Sequence, residues 1–201
     1  MPPAAQGPEP REGEVAALAA RFRQGDAEAF GRLVRLYQDR AFGLCVRLLE
    51  DREEARDATQ ETFLRAWRGR RSYRPKSPFP AWLAAIAANL CRDLLRHRGR
   101  WREEPLVVEQ GHPNPGPLGA DAQSSDRSLD QAELGVVLRT AIDALPVEFR
   151  MAIILRELEG LSYGDIARAM GCSLGTVRSR LFRARQALRE SLGPYLEEGR
   201  T

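Results

Sequence analysis

Apolar residues along most of the chain recur at intervals of three and four positions, which is the period of an amphipathic α-helix. The first block with this pattern predicts four helices, at roughly 14–23, 26–49, 51–68 and 78–98. Pro75 and Pro78 oppose helix continuation, so the stretch RGRRSYRPKSP between the last two helices is predicted to be an exposed loop.

The pattern resumes at Leu134 and runs to about Leu196, and the chain has no β-rich run. Between the two blocks, residues 101–133 are rich in proline and glycine and hold two arginines against seven acids, a net charge of −5. This composition predicts a flexible acidic linker, and that of residues 1–13 predicts a disordered N-terminus. We therefore expect an all-α fold of two small helical domains, at 14–100 and 134–196.

The stretch YGDIARAMGCSLGTVRSRL predicts a helix-turn-helix in the second domain. Ile166, Ala167 and Met170 lie on the first helix, Gly171 can end it in the left-handed conformation, and Ser173 suits the start of the second. On the second helix a predicted inward stripe falls at intervals of four, three and four: Val177, Leu181, Ala184 and Leu188.

Four arginines of this second helix are predicted to lie on or beside its outward face: Arg178, Arg180, Arg183 and Arg185. No acid occurs between Asp165 and Glu190, so the face suits phosphates and base edges in a major groove. The alternative is a solvated arginine face on a structural helix.

A second basic concentration lies in the first domain, where Arg65 to Arg102 includes eleven basic residues and one acid, interleaved with aromatic residues. A basic groove with aromatic rings is suited to holding unstacked single-stranded bases. Trp82 lies in an apolar run and is predicted to be core, whereas Tyr73, in the proline-bounded loop, is the expected base contact. The helix before this loop carries exposed polar residues that indicate either a solvated face or a protein contact: Asp57, Gln60 and Glu61.

Composition argues against a zinc-binding, a secreted or a membrane-spanning protein. The formal net charge is only +3, and 43% of the residues are hydrophobic, enough for a buried core. Cys45, Cys91 and Cys172 lack the spacing of a zinc site and are expected to be buried thiols in a reducing cytosol. No signal peptide or apolar run of roughly 18 residues is evident. We expect a cytoplasmic protein without metal or cofactor.

Three motifs, in order, resemble those of bacterial sigma factors of the extracytoplasmic-function (ECF) class: DREEARDATQETFLRAW, FPAWLAAIAANLCRDLLRHR and LPVEFRMAIILRELEGLSYGDIARAMGCSLGTVRSRLFRARQALRE. The resemblance covers about 26–100 and 134–192. It implies a promoter-specificity subunit that joins core RNA polymerase, is not an enzyme and takes no small-molecule substrate.

The resemblance also implies three sets of contact residues. Docking on the clamp of the largest polymerase subunit is assigned to Asp57, Gln60, Glu61, Phe63, Leu64 and Trp67. Contact with minus-10 DNA, including capture of a flipped base by Asn89 and the loop 69–80, is assigned to Arg68, Arg71, Tyr73, Arg74, Lys76, Asn89, Arg92 and Arg96. Contact with minus-35 DNA is assigned to Ser173, Thr176, Arg178, Ser179, Phe182, Arg183 and Arg185, with Arg178 expected to read bases and Arg185 to meet phosphate.

The implied partners are core polymerase, promoter DNA in duplex and single-stranded form, and an anti-sigma factor able to hold the protein at the membrane without insertion of this chain. The acidic linker is similar to the connector that, in this family, threads the RNA exit path.

Three other functions account for less of the sequence. A helix-turn-helix repressor or response regulator would explain only residues 134–192. A nuclease would need clustered carboxylates or histidines, whereas His97 and His112 are isolated and Asp93 stands alone among arginines. An RNA-binding or anti-sigma adaptor would bind polymerase or a sigma factor without directing initiation. Transcription in vitro with core polymerase separates all three from a sigma factor.

Overall fold

The computed structural model describes residues 12–75, 78–99 and 128–198, which are helical and contain no β-strand, so the predicted all-α fold is confirmed. Most of the expected N-terminal disordered segment, most of the expected linker, and Lys76 lie outside these ranges. None of the helices in these ranges combines the length and the apolar character that crossing a membrane requires.

The four helices predicted for the first block are confirmed, each to within two residues at either end. They are α1 (Glu12–Arg23), α2 (Ala27–Leu49), α3 (Arg52–Arg68) and α4 (Phe79–His97), with a 3-10 turn at Arg70–Ser72 after α3. The chain divides into two compact units, Met1–Leu90 and Cys91–Thr201. This division lies within α4 instead of after residue 100, and the predicted domain limits stay predictions.

Two aspartates determine where α2 and α3 begin. The Asp26 carboxylate accepts the Ala29 backbone N–H at 3.0 Å, and the Asp51 carboxylate accepts two backbone N–H groups of the first turn of α3. These are N-cap bonds, which satisfy donors that have no partner inside a helix. The bond from Ala29, followed by that from the Arg21 side chain, stabilises the ionised form and lowers the pKa of Asp26.

An aromatic cluster forms the core of the first unit around the fully buried ring of Phe22 in α1. The Phe22 centroid lies 5.3 Å from that of Phe30, 5.6 Å from Phe79, 5.9 Å from Trp82 and 6.3 Å from Trp67. One ring of α1 therefore contacts α2, α3 and α4 together. Trp82, predicted to be core, is partly buried against this cluster.

After the last turns of α4, the described residues of the second unit form α5 (Ser128–Asp143), α6 (Val147–Ile153), the π-helical turn Ile154–Leu158, α7 (Tyr163–Met170) and α8 (Leu174–Glu198). The long helix α8 packs against α5, α6 and α7. Helix α5 begins six residues before the predicted start at Leu134. Residues 128–133 were predicted to belong to the linker, but they form the first part of α5.

The three cysteines form no disulfide: Cys45 and Cys91 are buried, as predicted, while Cys172 is partly exposed. Among the residues that the structure describes, no group of three or more metal-ligating side chains lies together.

Replacing Phe22 by alanine should destabilise the first unit by about 3–5 kcal/mol, because the substitution leaves a cavity at the centre of the aromatic cluster. Urea unfolding followed by tryptophan fluorescence measures this, since Trp67 and Trp82 lie in the same cluster. The matched control is Leu36→Ala, whose side chain is 41% exposed and whose loss should change stability by no more than about 0.5 kcal/mol. Equal effects of the two substitutions would contradict the packing described here.

Candidate nucleic-acid and protein interfaces

The predicted helix-turn-helix is formed by α7 and α8. Helix α7 begins at the N-cap Ser162, whose Oγ accepts the Asp165 N–H at 3.2 Å. It ends at Gly171, which has φ of 62°, and the Cys172 N–H donates to the Ala167 carbonyl at 3.0 Å. A side chain at φ near +60° is strained, so glycine allows the sharp turn, as the sequence predicts.

The start of α8 is capped by Ser173, as predicted. Its Oγ accepts the Thr176 N–H at 3.1 Å and lies 3.0 Å from the Thr176 Oγ1. Ser173 is exposed and Thr176 is partly exposed. Both hydroxyls thus lie at the accessible N-terminal end of α8, where the helix dipole favours negative groups.

The inward stripe of α8 is confirmed, because all four of its members are buried: Val177, Leu181, Ala184 and Leu188. The opposite face presents Arg178 and Arg183, both exposed, with Ser179 and Phe182 partly exposed beside them. Within the described residues the Arg178 guanidinium has neither a hydrogen bond nor an ion pair. This face therefore offers a charged donor to an anionic or base-edge acceptor.

Two of the four arginines predicted for the outward face are buried. Arg180 is 2% exposed and Arg185 is 3% exposed. The Arg185 Nη2 donates to the Glu157 Oε1 at 2.6 Å, so Arg185 does not lie on the outward face in this structure, and its contact with phosphate stays a prediction. Each arginine lies four positions from a stripe residue, Ala184 or Leu181, and its stem therefore follows the stripe inward.

Sequence reasoning also missed the π-helical turn that supplies Glu157. In this turn the Glu159 N–H donates to the Ile154 carbonyl, five residues earlier, at 3.1 Å. The neighbouring Arg156 donates through Nη1 to the Leu161 carbonyl at 2.9 Å, and its guanidinium lies 5.1 Å from the ring centroid of Tyr163. The stretch ILREL has the pattern of an ordinary helix, so nothing local distinguishes it.

Cys172 occupies the turn between α7 and α8. Burial raises the pKa of its thiol, and the nearby Arg180 guanidinium opposes this only in part.

In the first unit, α3 carries an exposed face that we call the α3 face, defined by Asp57, Gln60, Glu61 and Leu64. Their spacing places all four side chains on one side of the helix. Leu64 is 51% exposed, and Glu61 accepts a hydrogen bond from the Arg65 Nε at 2.9 Å. The α3 face thus combines an apolar side chain with acidic and amide groups, which suits a protein partner.

Phe63 does not belong to this face, contrary to the assignment made from the sequence. It is 8% exposed, and its ring lies 6.3 Å from that of Phe30 in the core. Trp67 is partly buried, 5.1 Å from the Phe30 ring, with the Arg70 guanidinium 4.7 Å from its own centroid. The helical period explains both, because Phe63 and Trp67 are one turn apart on the inward side.

Tyr73 is 3% exposed, so its ring is not presented at the surface in this structure, and its contact with a base stays a prediction. Its ring lies 5.3 Å from Trp82 and 5.8 Å from Phe79, and burial raises the pKa of its hydroxyl. Among the described residues of the predicted loop 68–78, the exposed positions are Arg68, Arg71, Ser72, Arg74, Pro75 and Pro78, whereas the Tyr73 ring turns into the aromatic cluster.

The remaining residues assigned to single-stranded DNA differ in exposure. Arg68, Arg71, Arg74 and Arg96 are exposed. Arg92 is partly buried and forms an ion pair with Asp93 at 2.6 Å. Asn89 is partly buried, and its Oδ1 has no hydrogen-bond partner among the described residues.

Comparison with known proteins identifies the family of two stretches of the chain. Residues 33–101 match the family described as Sigma-70 region 2, and residues 136–188 match Sigma-70, region 4. The chain is 41% identical over 145 residues to the ECF RNA polymerase sigma factor SigE of Mycolicibacterium smegmatis, across 72% of this chain and about half (54%) of that relative. It is 40% identical over 148 residues to the RNA polymerase sigma-H factor of Pseudomonas aeruginosa, across 73% of this chain and 77% of the relative.

A solved structure extends the comparison to the fold. The sigma factor RpoE from Bartonella quintana, in complex with the anti-sigma factor NepR, is similar with a TM-score of 0.54 and 29% identity, across 82% of this chain and 96% of that chain. The family matches, the similar proteins and the helix-turn-helix all indicate a sigma factor. The chain therefore belongs to the ECF family of RNA polymerase sigma factors and is an alternative sigma subunit.

Proposed function

We propose that this sigma subunit docks core polymerase through the α3 face, captures unstacked minus-10 bases beside Asn89, and reads the minus-35 element with α8. The observation that carries this proposal is the outward face of α8, where Arg178 and Arg183 are exposed opposite the buried stripe. Such a helix can enter a major groove with its N-terminal turns against base edges.

Docking on the clamp of the largest polymerase subunit is supported by the composition of the α3 face. An exposed leucine gives an apolar centre, and the surrounding polar groups of Asp57, Gln60 and Glu61 can bond to basic or amide groups of a partner. Burial of Leu64 on binding would remove apolar surface from water, which favours association.

Strand capture is supported by the Asn89 Oδ1, which has no hydrogen-bond partner within the part of the chain that the structure describes, and by the exposed arginines of the loop. A buried amide oxygen without a partner carries a desolvation penalty, and the amino group of a base could relieve that penalty. Melting would then draw on binding energy alone, since unstacking costs about a few kcal/mol per base. No catalytic group takes part in this proposal.

We propose further that the protein acts in the cytoplasm and is held inactive by an anti-sigma factor. Support comes from the relative RpoE, which was solved with such a partner. The anti-sigma factor, and not this chain, would provide any membrane attachment.

Core polymerase with the parental chain should initiate transcription at a defined set of start sites on genomic DNA, and sequencing these sites gives the promoter. Combining Gln60→Ala with Glu61→Arg should weaken core binding by about 2 kcal/mol, the scale of a hot-spot contact, and abolish these transcripts. The matched control is Gln38→Ala with Asp39→Arg, an exposed pair on α2 with the same change of charge. Equal core affinity of the two variants in a titration would refute the docking site, and a parental chain without start sites would refute the function.

Asn89→Ala should reduce open-complex formation on the mapped duplex promoter, because the captured base loses its hydrogen-bond partner. A promoter with a pre-melted bubble should recover part of the loss. Tyr73→Phe is the control: it keeps the buried ring and should melt promoters like the parent. If Asn89→Ala fails equally on both templates while remaining folded, the strand-capture role is incorrect; permanganate footprinting measures the open complex.

Arg178→Ala should cost about 1–3 kcal/mol in minus-35 binding and relax the preference at one base pair, because a bidentate base contact is lost. Arg189→Ala removes an exposed arginine about 11 positions further along α8 and should leave that preference intact. Fluorescence anisotropy of the polymerase complex on matched and single-change duplexes measures the ratio of affinities. Equal weakening on both duplexes by Arg178→Ala would rule out base reading by this residue.

A further inference from the structure

We propose that the π-helical turn Ile154–Leu158 is a positioning element for base reading, since it fixes the start of α7 through Arg156 and the rotation of α8 through Glu157 and Arg185. The inference rests on the proposed reading of minus-35 DNA by α8. It gives Arg185 a role other than the phosphate contact that its sequence suggested.

The bond between Arg185 and Glu157 is placed where it can restrict the rotation of α8 about its axis. Arg185 follows the exposed Arg183 by two residues, so it lies on the same turn of α8 but on its inward side. Its guanidinium is buried, with Nη2 2.6 Å from the Glu157 Oε1, while the Glu157 side chain is 23% exposed. A charged hydrogen bond away from water is short and directional, so rotation of α8 about its axis would stretch it.

Apolar packing alone fixes this rotation less strictly. The stripe from Val177 to Leu188 holds α8 against the domain, but apolar attraction has no preferred direction and permits small rotations. A side chain that reads a base must place its donors within hydrogen-bond distance, so a rotation of α8 by more than about 10–20° changes what Arg178 can reach. The ion pair adds a directional interaction, which the apolar stripe lacks, and so fixes the rotation of α8.

A second side chain of the turn, that of Arg156, contacts the start of α7. Arg156 donates to the Leu161 carbonyl at 2.9 Å, immediately before α7, and its guanidinium covers the ring of Tyr163, the first residue of that helix. Adjacent residues of a helix point in different directions, so Arg156 and Glu157 reach different helices from one turn. Single π turns inside helices frequently lie at functional sites, which fits this use.

The experiment replaces the ion pair by apolar residues of similar volume, Glu157→Leu with Arg185→Met, in the full chain. Such replacements of buried pairs are often neutral for stability, so circular dichroism and thermal unfolding should match the parent. The matched control is Arg189→Met with Glu190→Leu, which makes the same changes at exposed neighbours on α8. Each protein is assembled with core polymerase and measured on the mapped promoter and on a duplex with one minus-35 base pair changed.

We expect the buried double variant to lose about fivefold or more of the affinity ratio between the two duplexes, with an unchanged salt slope, while the exposed double variant keeps the parental ratio. A folded variant with the parental ratio would overturn the proposal. So would a salt slope smaller by about one unit, because Arg185 would then be a phosphate ligand. A parental chain that does not distinguish the duplexes would instead refute the proposed function.

A second variant keeps the proposal testable if the first does not fold. Arg185→Lys retains the charge but lacks the planar guanidinium, so it should fold and lose about twofold or more of the affinity ratio. Retention of the full parental ratio by Arg185→Lys would count against positioning by the ion pair.

Discussion

The burial of one apolar stripe on α8 is the constraint on which the second unit depends. A helix that packs against three neighbours can bury only the side chains of its inward face, so the residues left outside follow from the residues placed inside. Val177 and Leu181 turn inward, and Arg178 and Ser179 are therefore directed outward at the accessible end of the helix. The exposed face of α8 is therefore a consequence of its core packing, because the same few turns carry both.

The first unit obeys the same constraint through a different core. Phe22 brings α1 against three other helices, and the resulting aromatic cluster draws in Phe63 and Tyr73. The residues of α3 that stay exposed outside this cluster form the α3 face, and those of the loop that stay exposed include arginines. Helix α1 lies before the stretch matched to Sigma-70 region 2, yet its ring is central to the packing of that region.

Sequence predicted the helices, the turn at Gly171 and the cap at Ser173 because these depend on neighbours a few positions away. The errors concern long or aromatic side chains whose direction depends on distant partners. Tyr73 turns inward because Phe79 and Trp82 offer a surface for its ring, and Arg185 turns inward because Glu157 lies 28 positions earlier in the chain. Periodicity predicts the side of a helix on which a residue lies, but it does not predict the position of the end of a long, flexible side chain.

The position of Cys172 has a consequence for chemistry at the turn between α7 and α8. A thiol reacts with oxidants and electrophiles as its thiolate, so a pKa raised by burial keeps the reactive form scarce near neutral pH. Peroxide would modify this cysteine more slowly than a thiol whose pKa is lowered. At neutral pH the turn between α7 and α8 therefore carries its cysteine mainly in the less reactive thiol form.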